Sequence, residues 1–303
     1  MSLLRVGYVR EHFSSPLLQY AHDDQEKTFR LVECPGGTGQ LISRLTSNEI
    51  DVAMQVYHIF DLLLRALTDP LISGIANGSQ SYRLVGSYVS TPLNWAVITG
   101  ASSPYKSIAD LKGTKIGISR PGSGSQTMAY VMALNEHWSP DALQFQVNND
   151  IRGLIDSVNE ESTAAFMWEW FTTKPWADKG EVRFIGSVPT PWPSWMIAAH
   201  PSPTRAPSDA LRTFLHALSS YVTKFDAPEA RETADVEFIK ATFGYPEEDV
   251  KAWLKTVGYP SDCTIVSAEV IQDTLAVLSK AGVVKAATYD VKDFVDTQVA
   301  SLA

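Results

Sequence analysis

The sequence predicts an α/β protein in which two βαβ-rich segments are followed by a mainly helical tail. Three observations point there. Short strand-like apolar runs alternate with stretches of helical spacing through the first two-thirds of the chain, the pattern of parallel strands with covering helices. A glycine-rich loop follows a strand and precedes a helix in each segment. The last third carries helix-length apolar faces.

In the first segment, Leu4–Val9 reads as a strand, and Ser15-Pro16 supplies a cap with proline in the first helical turn. Phe29–Cys34 is the next strand, ended by Pro35-Gly36-Gly37. From Thr38, the spacing of Leu41, Ile42 and Leu45 is helical, and Ile50–Met54 returns to a strand. The second segment repeats this grammar. Ser107-Ile108-Ala109-Asp110 is a capping box closed by Gly113, and Lys115–Ser119 is a strand. The loop Arg120–Ser125 then leads into a helix through Met128, Val131 and Met132. Ile151, Leu154, Ile155 and Val158 mark another helix before a strand at Thr163–Trp168. In the tail, Leu211, Phe214, Leu215, Leu218, Val222 and Phe225 share one face, with Ser208 as cap. Two further helices lie between Pro246 and Gly258 and between Ser267 and Gly282.

The 303 residues suit one large domain or two ordinary ones, and 45% hydrophobic with 19% charged residues is the balance of a globular chain. A net charge of −9 without any Lys/Arg run argues against nucleic acid as a partner. Cys34 and Cys263 stand far apart and outside any zinc spacing, so two free thiols are expected. No apolar stretch approaches the roughly 18–20 residues that span a bilayer, so the chain is not membrane-inserted. Met1 leads directly into strand-like residues without an apolar signal core, which predicts a cytoplasmic protein. The alternative is a periplasmic or lipid-anchored protein whose export signal has been removed.

Chemistry concentrates in three places. Pro35-Gly36-Gly37-Thr38-Gly39-Gln40 lets the backbone approach a ligand at a helix start, where free amides favour an anionic or polar group; a plain βα turn explains it equally. Arg120-Pro121-Gly122-Ser123-Gly124-Ser125-Gln126 reads as its counterpart in the second segment, and the two together as a polar clamp. It lacks the Gly-Lys-Ser/Thr ending of a P-loop and the full GxGxxG of a dinucleotide loop. Arg120 either meets an acidic group or sits in water. Half of the 8 tryptophans fall in Phe166–Phe171 and Pro189–Trp195, which form either core or an aromatic wall with Glu169 pairing an amine. Tyr8 and Tyr57 are candidate walls from the other side, and His58 is the one histidine placed beside them. No GxSxG, HExxH or kinase set is present.

The run Glu33–Gly39 leading to Glu49-Ile50-Asp51-Val52-Ala53 resembles the first lobe of substrate-binding proteins for taurine, alkanesulfonates and thiamine precursors. Ser107-Ile108-Ala109-Asp110-Leu111-Lys112-Gly113, with the strand and Gly-Ser loop after it, resembles the start of their second lobe. The resemblance spans most of Leu4 to Ala199. It implies a two-lobed type II periplasmic-binding-protein fold with mixed sheets and two interdomain crossovers. Lobe one would hold residues 1–93 and 197–303, and lobe two residues 94–196. Asn94–Thr99 and Ser194–His200 would be the strands near the hinge, and ligand would lie between Gly37-Thr38-Gly39 and Ser123-Gly124-Ser125.

The expectation is therefore a binder of a small anionic or zwitterionic organic ligand, with no catalytic residue, metal or cofactor. Its ligand-binding set is Tyr8, Gly37, Thr38, Gly39, Tyr57, His58, Ser123, Gly124, Ser125, Trp168, Glu169 and Trp192. An ABC-type permease would be a partner only for an exported protein. The alternative is a cytoplasmic enzyme of the thiamine-pyrimidine synthase type, a branch whose cysteine-rich iron-binding motif this sequence lacks.

Overall fold

The computed structural model describes residues 3–35, 37–54, 67–285 and 287–303, with the side chains at 37–39 and 140 excepted. The chain begins β1 (Leu4–Tyr8), α1 (Ser15–Asp24), β2 (Phe29–Glu33), α2 (Gly37–Thr46) and β3 (Val52–Ala53). This βαβαβ run lays three strands side by side, parallel because each helix returns the chain to the same end of the sheet, with β2 and β3 added on opposite sides of β1. After α3 (Thr68–Ala76) and β4 (Arg83–Val89), the chain crosses to a second sheet with β5 (Asn94–Gly100). There the same run recurs: β6 (Lys115–Ile118), α4 (Gly124–Asn135), β7 (Gln144–Val147), α5 (Ile151–Asn159) and β8 (Ala165–Glu169), with β6 central and parallel to both neighbours. Then come α6 (Trp170–Asp178) and β9 (Val182–Pro189). The chain crosses back through β10 (Trp195–Ala199) into α7 (Ser208–Phe225), α8 (Pro228–Glu232), α9 (Ala234–Phe243) and α10 (Glu247–Leu254). It closes with β11 (Ile265–Val266), α11 (Ala268–Lys280) and β12 (Ser301–Leu302).

The described strands form two five-stranded mixed sheets, β2-β1-β3-β10-β4 and β7-β6-β8-β5-β9, beside the small pair β11-β12. In each large sheet the strand entered from a crossover, β10 or β5, runs antiparallel to the parallel trio, and the outer strand beyond it, β4 or β9, runs antiparallel to that strand and so along the trio. The two-lobed α/β architecture expected from the sequence is the one observed. β8 and β10 are buried along their whole length, as strands covered on both faces must be. The apolar stripe of α7 is 2% exposed or less at all six predicted positions. Burying each such side chain stabilises by roughly 1.5–3 kcal/mol, so packing rather than propensity holds this helix. Cys34 and Cys263 are buried free thiols.

Two segments join the sheets, Ser90–Leu93 and Thr190–Ser194, and they lie side by side. Thr190 N–H donates to Leu93 O (2.9 Å) while Leu93 N–H donates to the Thr190 hydroxyl (3.0 Å). Ser194 donates to Thr91 O from both its N–H (3.0 Å) and its hydroxyl (2.5 Å). The tail docks on the first sheet at β4, where Ser87 N–H donates to Cys263 O (3.0 Å) and its hydroxyl to Ile265 O (2.7 Å). Gly86 makes this approach possible, since a Cβ there would overlap the Cys263 carbonyl.

Two caps differ from expectation. Ser14, not Ser15, is the N-cap of α1, because a 3-10 turn at His12–Ser14 already begins the coil; the Ser15 hydroxyl donates to His12 O (2.6 Å). Pro207 precedes α7 and makes Ser208 its first residue.

Candidate functional site

The carboxyl ends of parallel strands are where open α/β sheets leave room for ligands. In the first sheet, β1 ends in Tyr8 and runs through Glu11 into the 3-10 turn at His12. The turn is held by Ser14, whose N–H donates to Glu11 O and whose hydroxyl donates to Val9 O (both 2.8 Å). His12 is 2% exposed and lies nearly perpendicular to the rings of Tyr245 and Trp253, at 5.1 and 4.5 Å between centroids. Neither ring nitrogen has a hydrogen-bond partner among the described residues, and burial pushes the imidazole down to about 3, so it stays neutral.

In the second sheet, β8 ends in Glu169, which is also the N-cap of α6. Its Oε2 accepts from Thr172 N–H (2.7 Å), and the Thr173 hydroxyl donates to Glu169 O (2.7 Å). Burial pushes this carboxyl up to about 7, opposed by the N–H groups of Thr172 and Phe171. The next residues reach the other lobe. Phe171 lines a small cavity together with His12, Ile239, Tyr245, Asp249, Val250 and Trp253. The Tyr245 phenol is held well above its usual range by burial and by the charges of Glu11 and Glu169, one from each lobe. Lys174 bridges Asp178 (2.6 Å) on its own helix and Asp249 (3.1 Å) on α10. A seam thus runs from the ends of β1 and β8 to the C-terminal helices.

Lys174–Asp249 clamps that seam. Lys174 is about a quarter exposed and Asp249 nearly covered, so solvent screening limits the pair to roughly 1 kcal/mol. We expect Lys174→Met to shift the ligand-free protein toward more open forms about fivefold, seen as a larger radius of gyration in small-angle scattering. Asp249→Asn should do the same, and the double variant should add little. Unchanged scattering in both single variants would deny the clamp.

The loop after β6 is built differently. Ser123 caps α4, its hydroxyl accepting from Gln126 N–H (3.3 Å) and lying 2.8 Å from the Ser125 hydroxyl. Ser125 Oγ also accepts from Ser119 N–H (3.3 Å), and both serines are at most 1% exposed. Gly122, at φ +71°, turns the chain and donates to Gln126 Oε1 (2.6 Å).

Topology corrects one pairing. The helix starts at Gly37–Gly39 and Ser123–Ser125 are not equivalent, because the first follows the edge strand β2 and the second the central strand β6. The first-lobe counterpart of Arg120–Gln126 is the segment after β1, which carries Glu11 and His12.

Of the remaining candidates, Tyr8 is buried at the end of β1, its phenol pushed up by burial and by Glu33 against a hydrogen bond from Arg10. Gly37, Thr38 and Gly39 form the first turn of α2. Trp168 is buried in β8, and Trp192 is buried in the return crossover, held by the Thr190 hydroxyl donating to Trp192 O (2.7 Å). Tyr57 and His58 lie outside the described residues. The structure therefore joins Ser123 to Ser125, and near Glu169 it forms a seam through residues absent from the expected set, in which Phe171 meets His12, Tyr245, Asp249 and Trp253, and Lys174 meets Asp249. Among the described residues no cluster of three His, Cys, Asp or Glu is arranged to hold a metal ion, and no helix is long and apolar enough to cross a membrane.

A family model described as Ca3427-like PBP matches residues 95–188. The solved structure of the Candida albicans CA3427 gene product, which defines a family with the generic periplasmic binding protein fold, is 32% identical. It aligns over 100% of this chain and 99% of its own with a TM-score of 0.85. The alkanesulfonate-binding protein SsuA from Xanthomonas axonopodis pv. citri, bound to MOPS, is 15% identical over 100% and 99%, with a TM-score of 0.74. The periplasmic nitrate-binding protein NrtA from Synechocystis PCC 6803 is 13% identical over 95% and 83%, with a TM-score of 0.69. At such identities the last two establish likeness of fold. A search of curated proteins returns no match.

Proposed function

The chain belongs to the Ca3427-like family of proteins with the periplasmic-binding-protein fold, and from that premise we propose that it binds a small polar organic ligand, anionic or zwitterionic, between its lobes without transforming it. The observation that carries this reading is the meeting of strand ends from both sheets on one seam, where Phe171 lines a small cavity with His12, Tyr245 and Trp253 and Lys174 lies 3.1 Å from Asp249. The side-by-side crossovers support a hinge at its back. In this reading, lobe one comprises residues 1–93 and 197–303 and lobe two residues 94–196. The ligand draws on Tyr8, Gly37–Gly39, Tyr57, His58, Ser123–Ser125, Trp168, Glu169 and Trp192. Structural neighbours named for sulfonate and nitrate binding support an anionic group on the ligand.

The test is a search for the ligand itself. Protein purified without additives is denatured and its released small molecules identified; each is then returned to ligand-free protein in a thermal-shift titration. A true ligand at about a hundred times its Kd should stabilise the fold by about 2.7 kcal/mol. A crystal structure should then place it between the lobes. If neither the released compounds nor a broad panel of metabolites raises the melting temperature through the cleft, the reading fails.

A further inference from the structure

At the amino ends of β1, β2 and β3, the end of the sheet opposite to the seam, three arginines gather around one acid. Arg5 and Arg30 each hold the second position of a strand and are register partners, so their side chains leave neighbouring backbones, roughly 5 Å apart, on one face. Asp51 stands immediately before β3, and Arg205 lies on the loop after β10, whose last residue, Ala199, pairs with Val52. With Leu3 and Thr204 these residues line a surface cavity of about 360 Å³.

The acid is fully engaged. The Asp51 side chain is 5% exposed, and its Oδ2 accepts from the Arg5 backbone N–H (3.0 Å) and Nε (2.9 Å). Its Oδ1 accepts from Arg5 Nη2 (2.6 Å) and Arg205 Nε (3.4 Å). Arg5 donates further to Asn48 O (2.6 Å), and Arg205 to Leu45 O (3.2 Å), Asn48 Oδ1 and Ile50 O. These bonds explain Asp51, Arg5 and Arg205 as a tie between the strand starts and the returning chain. They do not explain Arg30, which is exposed and has no hydrogen bond or ion pair among the described residues. Glu49, two residues before Asp51, pairs with Arg44 instead (3.4 Å).

The cavity wall thus sets three guanidinium groups against one carboxylate, an excess of two positive charges on a chain whose net charge is −9. Two of the three are already held by backbone carbonyls, so an anion arriving there has only the Arg30 side chain left to order. We propose that this cavity is a second binding site, for a small dianionic oxyanion of the phosphate type, with Arg30 closing on an anion that Arg5 and Arg205 are positioned to receive. The surplus of two charges favours a dianion over a monoanion, and the guanidinium forks match its oxygens in pairs. The site lies apart from the cleft and does not rest on the cleft-binding reading, so either can fail while the other stands.

The probe is inorganic phosphate, titrated by calorimetry and by amide NMR at about pH 8, where the dianion dominates. It should bind with a Kd below about 1 mM. Nitrate should bind at least about tenfold more weakly, because it brings one charge and not two. The amide shifts should centre on Arg5, Arg30, Asp51 and Arg205. Arg30→Gln should weaken phosphate binding about tenfold and Arg30→Glu should abolish it. Both variants should melt with the parent in phosphate-free buffer, since Arg30 holds nothing in the fold. Glycerol 2-phosphate in the same titration separates a site for the free ion, which excludes the ester, from one for a phosphate monoester, and either result supports the proposal. Phosphate binding indifferent to both Arg30 variants overturns it, as do shifts confined to Ser123–Ser125. Weak binding that is equal for phosphate and nitrate marks an adventitious ion only and overturns it as well.

Discussion

Replacing Gly86 with valine should lower the stability of the protein by about 3 kcal/mol, the upper end of the usual range for overpacking, because the clash is with backbone. The added Cβ would overlap the Cys263 carbonyl, and that carbonyl accepts the Ser87 N–H on the same strand. Backbone cannot rotate away as a side chain can, so either β4 bends or the 262–266 segment lifts. The same segment positions the tail that supplies Asp249 and Trp253 to the seam. Urea unfolding should show a lower midpoint, and Gly86→Ala should fall between the variant and the parent. A valine variant with the parent's midpoint would mean that the tail is not seated on β4 as described.

Glu169→Gln should abolish most of a pH dependence of stability near neutrality. The carboxyl is 2% exposed, and its folded value of about 7 lies above the ordinary 4.5. The folded protein therefore holds a proton that the unfolded chain has released, and stability falls as pH rises from 4.5 through 7. That shift corresponds to about 2–3 kcal/mol between pH 5 and pH 8. Glutamine keeps an oxygen to accept Thr172 N–H and carries no charge to desolvate. The variant should therefore match the parent at pH 5 and exceed it at pH 8 in urea unfolding. Parallel pH profiles for the two proteins would contradict the burial of a titrating group at this cap.

Periodicity sufficed for elements that declare themselves locally. The stripe of α7 and the capping box at Ser107–Asp110 were readable because each signal lies within a few residues. α6 was not, since its cap is a glutamate rather than Ser, Thr, Asp or Asn, and Pro175 interrupts its pattern. β4 carries a glycine at its centre, which blurs strand character, and that glycine is explained only by a backbone 177 residues away. The site divides in the same manner. The helix start at Ser123–Ser125 is a local signal. The company of Glu169 is not, because His12, Tyr245 and Trp253 come from distant segments that topology alone assembles. Arg120 shows the same limit, since its sequence context allows a solvated arginine and only the structure shows that Nε is covered while the end of the guanidinium stays at the surface beside Pro121 O.

The second sheet is made entirely from one uninterrupted stretch, β5 to β9, and its first and last residues, Asn94 and Pro189, face each other across a ladder. The family model covers nearly the same stretch. Such a stretch is a cassette: it enters and leaves its host at neighbouring points, so exchanging it between relatives disturbs two adjacent junctions and little else. It carries the donor-rich loop of α4 and the glutamate cap of α6, while Glu11, His12 and the C-terminal helices stay with the host. If ligand binds between the lobes as proposed, recombination at residues 94 and 189 would exchange one half of the recognition surface in a single step.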